Sequence, residues 1–234
     1  MKRSATRLHA LLATFVVTIA IASSAHAALR APQVSILGGG LQAYLNSADG
    51  GINAATDQDA TTSWTHTSSN TTGYTILLES TGGANTNALA MYNSTAGVPT
   101  LFSLVSGPIG QYGFTTATFK PGNQLTVNRF DENGAFLSTQ TFNGVDQNGF
   151  SFALVTAGGT YYTQDARNPG GKAQAVSFKG TGGNTGVWFL CFEDSQVQGG
   201  GSDQDFDDAV IAMESVNTTP VSTTTWGQLK TRMR

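Results

Sequence analysis

Seven of the chain's fifteen carboxylates fall within residues 192–216, FEDSQVQGGGSDQDFDDAVIAMESV. They are Glu193, Asp194, Asp203, Asp205, Asp207, Asp208 and Glu214, and no Lys or Arg occurs between Lys179 and Lys230. Carboxylates held this close repel one another, so they must take up protons or find a positive partner. A hard divalent cation satisfies several oxygens at once, and Ca²⁺ accepts about six to eight of them. The expected ligands are Glu193, Asp194, Asp203, Asp205, Asp207 and Asp208, around a Ca²⁺ whose role is structural. A solvated acidic hairpin without metal is the plainer alternative.

The spacing Asp203-x-Asp205-x-Asp207 matches the opening of a helix-loop-helix calcium loop, and Glu214 falls at its twelfth position. The match fails at the sixth position, where Asp208 stands in place of the glycine that makes the sharp turn. The run 209–213, AVIAM, is short and reads as strand. An EF-hand is therefore rejected while the calcium chemistry is kept. In an extended segment, Asp203, Asp205 and Asp207 would project to one side. Gly199, Gly200 and Gly201 let the loop fold back towards Glu193 and Asp194.

Other candidates are weaker. Asp57-x-Asp59 is a possible second metal site, with a surface Asx turn as the simpler reading. Asp165 and Asn168 lie in a loop expected near the acidic one, and Asp165 can instead pair with Arg167. Beyond residue 27, His66 is the only histidine and Cys191 the only cysteine. That leaves no Ser-His-Asp constellation and no zinc ligand set. Cys191, inside the run 187–192, reads as a buried hydrophobe. Gly38-Gly39-Gly40 lacks the Lys and the strand-helix setting of a phosphate loop. The chain therefore reads as a non-enzyme, with a hydrolase that uses the acidic loop as a distant alternative.

The elements that must hold this loop are strands. Candidate strands run at 74–79, 88–92, 100–105, 112–119, 124–130, 135–142, 150–155, 160–163, 173–178, 187–192 and 209–216. Several alternate apolar and polar positions, as 125–130 does. Asn133-Gly134, Asn143-Gly144 and Asn148-Gly149 are hairpin-type dipeptides. The implied class is all-β, an antiparallel β-sandwich or jelly roll, preceded by a short N-terminal helical turn at 41–45.

Residues 1–27 read as a secretory signal peptide. They comprise a basic start (Lys2, Arg3, Arg7), an apolar run over 11–22 and an Ala25-His26-Ala27 cleavage site. The apolar run is short for a membrane span, so no transmembrane anchor is expected after cleavage. Removing the segment takes the net charge from −3 to about −6. Such acidity argues against nucleic acid as a partner. Residues 28–219 form the expected single domain, and 220–234 a flexible, basic C-terminal tail, a frayed end or a sorting tag.

Residues 161–216 resemble the bacterial family called domain of unknown function 4114. Three blocks carry the resemblance: Tyr162-x-x-Asp165-x-x-Asn168-x-x-Gly171, Phe192-Glu193-Asp194, and Gly200-Gly201-Ser202-Asp203-x-Asp205-Phe206-Asp207-Asp208 before an apolar strand. Asp207 stands where that family usually has Asn, Ser202 is an extra residue, and Gln174 occupies a place where a His is expected. Residues 77–119 look like the N-terminal half of exported proteins that carry this domain. The resemblance implies an exported or surface, β-rich, calcium-binding protein without established activity. Many members carry a C-terminal membrane-sorting signal of a type this tail does not match.

Together these features point to a secreted or cell-surface protein of extracellular structure, adhesion or matrix assembly. Its partners would be extracellular glycans or matrix and surface proteins. The runner-up is a carbohydrate-binding module with Trp64, Tyr112, Tyr161, Tyr162 and Trp188 as sugar platform, although most of these suit a core.

Overall fold

A computed structural model describes residues 40–66, 71–79, 87–105, 113–131 and 133–217. The signal peptide and the tail read from the sequence lie outside the described residues, as does Tyr112.

In chain order the elements are helix α1 (Gly40–Ala48) and strands β1 (Gln58–Asp59), β2 (Thr65–His66), β3 (Thr71–Glu79), β4 (Ala88–Asn93), β5 (Phe102–Val105), β6 (Phe114–Lys120), β7 (Gln124–Phe130), β8 (Phe136–Asn143), β9 (Phe150–Thr156), β10 (Gly159–Tyr162), β11 (Ala175–Lys179), β12 (Trp188–Phe192), β13 (Ala209–Glu214) and β14 (Val216–Asn217). An eight-stranded sheet runs β1-β11-β12-β13-β3-β6-β7-β8, a four-stranded sheet β10-β9-β4-β5, and β14 pairs with β2. The pairings within the sheets are antiparallel.

Alternation along the strands builds the sandwich. In β7, Leu125 and Val127 point inward while Thr126 and Asn128 face out. Inward residues of both sheets, among them Leu89, Phe102, Phe119, Phe150, Phe152, Trp188, Leu190 and Ile211, share one core. Strands β12 and β13 break the alternation and are buried at every position. Their outer residues Phe189, Cys191, Val210 and Ala212 form a second core with Leu41 and Leu45 of α1. A sheet covered on both faces needs apolar residues on both, which is why WFLCF and AVIAME read as continuous runs.

Helix α1 carries Leu41 and Leu45 one turn apart, on the face that meets the sheet. It ends where Asp49 N and Gly50 N both donate to Leu45 O, with Gly50 left-handed at φ 76°. Asp49 then ties it to the β11–β12 connection: its Oδ2 accepts from Thr181 N at 2.7 Å and Asn184 Nδ2 at 3.1 Å.

All eleven expected strands are present within their ends, and the helix is longer than the turn expected at 41–45. The strand expected over 209–216 breaks at Ser215, left-handed at φ 61°, into β13 and β14, which belong to different sheets. The two-residue strands β1 and β2 were not expected; two residues leave no pattern to read. The hairpin reading holds for Asn133-Gly134, between β7 and β8, where Asp131 Oδ1 accepts from Asn133 N and Ala135 N. It fails for Asn143-Gly144 and Asn148-Gly149. Strands β8 and β9 belong to different sheets, so this connection is a crossover. Among the described residues no helix is long and apolar enough to cross a membrane.

Candidate metal centre

The acidic loop joins the ends of β12 and β13, the two most enclosed strands of the large sheet. It opens with Glu193, fully buried, whose N–H donates to Gln174 O at 3.0 Å and so continues the β11–β12 ladder. Its carboxylate accepts from Ser202 Oγ at one oxygen and from Phe206 N, 2.6 Å away, at the other. Two elements of the returning loop are thereby pinned to one carboxylate.

The loop does not return as an extended strand. Gln204 and Phe206 adopt left-handed conformations, at φ 61° and 56°. Such a conformation is unfavourable for an aromatic residue by about 1–2 kcal/mol. Burial of the Phe206 ring in the second core offsets it, since a fully buried Phe contributes about 1.5–3 kcal/mol. The extended segment expected to project Asp203, Asp205 and Asp207 to one side is corrected accordingly, although all three still line one cleft. Asp203 and Asp205 converge on Glu193, with one oxygen from each of the three within 4.8 Å of the others. Asp207 lies against the first turn of α1, where a side chain at Gly40 would collide with its carboxylate. The positive end of the helix favours an anion there.

Asp194 and Asp208 complete the surround. Asp208 Oδ2 accepts from Asp194 N at 2.9 Å. Asp194 accepts from Ser195 Oγ at 3.1 Å and from Asn87 Nδ2, just before β4 of the small sheet, at 3.3 Å. All six expected ligand residues line one open cleft of about 460 Å³, together with Ser195, Gly201 and Ser202 and no basic side chain. Glu214 is not part of it. It lies at the far end of β13, about 17 Å along the strand from Ala209. It is buried, its Oε2 has no hydrogen-bond partner among the described residues, and burial pushes its pKa up to about 7.

The electrostatics follow from burial and crowding. Burial raises Glu193, with Asp203 and Asp205 adding to the rise against the bonds from Ser202 and Phe206. Asp205 is pushed up to about 6, by burial first and then by Asp207 and Asp203. Asp208 reaches about 8, again by burial first, then by Asp194, Glu193 and Asp205. The folded state thus holds protons that the unfolded chain has released. Stability from these groups is full below the unfolded carboxylate value, near pH 4, and is lost as pH climbs through about 6 and about 8. Denaturant melts in a chelating buffer should therefore give a lower midpoint near pH 8 than near pH 5.

The donor set fits a hard cation. Ligand oxygens at about 2.3–2.6 Å from one Ca²⁺ lie at most about 5 Å apart, and Glu193, Asp203 and Asp205 meet that limit. All are oxygen donors, without the His or Cys that zinc prefers. The acidic cluster can hold a metal ion.

Residues that the acidic pattern did not single out shape the cleft. Gln174 is fully buried; its Nε2 donates to Ser195 O at 2.8 Å and its Oε1 accepts from Val197 N at 2.6 Å. It fixes the first turn of the loop as a second backbone would. Phe206 is the other, a lone aromatic among four aspartates. The remaining acids have local roles. Asp59 pairs with Lys179 at 2.7 Å and accepts from Thr61 N, an Asx turn. Asp57 accepts from Asn53 N. Arg167 donates to Gln164 Oε1 and to the carbonyls of Ser94, Ala96 and Gly97. The loop around Asn168 does approach the acidic one, for Gly170 backs onto the side chain of Gln198. Cys191 is a buried thiol, raised by burial and then by Asp207.

No family model matches the chain, and no curated protein or solved structure matches it either.

Proposed function

We propose that this is an exported, non-enzymatic β-sandwich protein in which a structural Ca²⁺ clamps the 193–208 loop, serving extracellular or cell-surface structure or adhesion. The observation that carries the reading is the meeting of Glu193, Asp203 and Asp205 oxygens within 4.8 Å of one another, in a cleft lined by no cation. The resemblance of 161–216 to domain of unknown function 4114 and the signal-like start of the chain point the same way. When bound, the ion would neutralise the loop and hold its two ends together. Glu193, Asp203 and Asp205 would bind it first, with Asp194 and Asp208 beside them.

Titration calorimetry tests this. The protein should take up Ca²⁺ with release of protons at neutral pH, because Asp208, raised to about 8, carries one in the free state. Glu193→Gln keeps an oxygen for the Phe206 N–H but removes the charge. It should weaken Ca²⁺ binding at least tenfold while leaving the metal-free melting temperature equal or higher, since it relieves a buried repulsion. Absence of any Ca²⁺ uptake by the native protein would overturn the proposal.

The carbohydrate-binding alternative loses most of its platform. Of its four members among the described residues, Trp64, Trp188 and Tyr161 are buried and Tyr162 is half-exposed. A hydrolase keeps one argument, the raised carboxyls of Asp205 and Asp208 in an open cleft. Turnover of glycosides or esters that survives chelation but is lost in Asp205→Ala would favour it.

A further inference from the structure

An antiparallel sandwich has four sheet edges, and each exposes a row of N–H and C=O groups unless something blunts it. Three of the four are managed here. Strand β1 has only two residues and carries the Asp59–Lys179 ion pair. Strand β5 is held by Arg129, which reaches from β7 to donate to Leu104 O and Ser103 O, both at 2.7 Å. Strand β10 is closed by Asn168, whose side chain accepts from Tyr162 N at 2.7 Å and donates to Tyr162 O at 2.8 Å, in place of a neighbouring strand.

Among the described residues, strand β8 has none of these devices. It ends the eight-stranded sheet, spans eight residues, FLSTQTFN, and contains no proline and no charge. Six of the eight are exposed. Of the three large hydrophobic side chains exposed among the described residues, two are here, Phe136 at 59% and Leu137 at 48%.

We propose that β8 is an association edge, through which two copies of this chain pair antiparallel into one continuous sheet. Charge favours a second copy as the occupant. The chain is acidic, so two copies repel over most of their surfaces, but this strand bears no charge on which repulsion could act. Geometry favours a closed pair. A two-fold axis perpendicular to the sheet sets the edge against itself and keeps the outer faces aligned. In the register centred on Gln140, Thr139 of one copy lies opposite Thr141 of the other, a pairing of hydroxyls that sheets tolerate well. Leu137 of each copy then meets the 142–143 end of the other. Because β1 is short and charged, growth stops at two copies.

The edge lies four strands from β13, about 19 Å across the sheet, and so is independent of the metal site. Sedimentation or light scattering of the protein, from low micromolar to several hundred micromolar, should show the mass rising to twice that of the monomer, with or without a chelator. Thr139→Lys with Thr141→Lys should keep the melting temperature, since both side chains are exposed, and weaken association at least tenfold. Mixing that variant with Thr139→Glu/Thr141→Glu should restore a dimer that neither forms alone. A native protein that stays monomeric throughout overturns the proposal. So does a lysine variant that associates as well as the native chain.

Discussion

Millimolar Ca²⁺ is expected to raise the melting temperature of the protein by about 5–10 °C at neutral to mildly alkaline pH, and by much less near pH 5. A ligand at about a hundredfold excess over its dissociation constant stabilises the folded state by about 2.7 kcal/mol. For a domain of this size, each kcal/mol moves the midpoint by about 2–4 °C. The pH dependence follows from competition between protons and the ion. Near pH 5 Asp205 and Asp208, with values raised to about 6 and about 8, are largely protonated and the ion must displace those protons. Near pH 8 Asp205 is charged and Asp208 is about half ionised; the metal-free loop is then less stable than at pH 5 and the ion has more charge to neutralise. Thermal scans with Ca²⁺ and with chelator at the two pH values measure this directly. Curves that coincide at pH 8 would remove the basis for a clamp.

Phe206→Ala is expected to have the largest effect of any single change in the acidic loop. Phe206 is fully buried in the core formed by α1 and the outer faces of β12 and β13. Truncating a buried Phe costs about 3–5 kcal/mol, or about 6–20 °C in melting temperature. The alanine would keep the left-handed backbone without the burial that offsets it. The Phe206 N–H would no longer be held against Glu193, so Asp203 and Asp205 would lose their placement. The variant should therefore lose both stability and its response to Ca²⁺. Phe206→Leu, which keeps most of the apolar volume, should recover most of the Ca²⁺ response. A Phe206→Ala protein that melts within a degree or two of the native chain would show that the anchor is dispensable.

Much of this architecture was legible because strands leave local marks. The alternation of Leu125 and Val127 with Thr126 and Asn128 announces a strand with one wet face, and the unbroken WFLCF of β12 announces one with none. The six acidic residues were legible too, from density of charge alone. What escaped depends on distant partners. That α1 lies over β11, β12 and β13 cannot be read from Leu41 and Leu45, whose spacing fits any sheet. Gln174 looks like an ordinary strand-end residue until the 195–197 turn wraps onto its amide. Phe206 has no periodic company, and its one sequence clue is an apolar ring set among four acids. The 143–149 crossover misled because Asn-Gly suits any tight turn, whether or not it closes a hairpin.

The 193–208 segment is long for a link between adjacent antiparallel strands, and the chain's single cysteine cannot form a covalent staple within it. Under the proposed clamp, the entropy of that long closure is restrained by a bond that forms and breaks with the ionic composition of the surrounding solution. Where calcium is plentiful the segment would resist proteases; where it is scarce the glycines at 199–201 would be the first place cut. A protein built this way would carry a reversible seam, and its lifetime would become a readout of its surroundings.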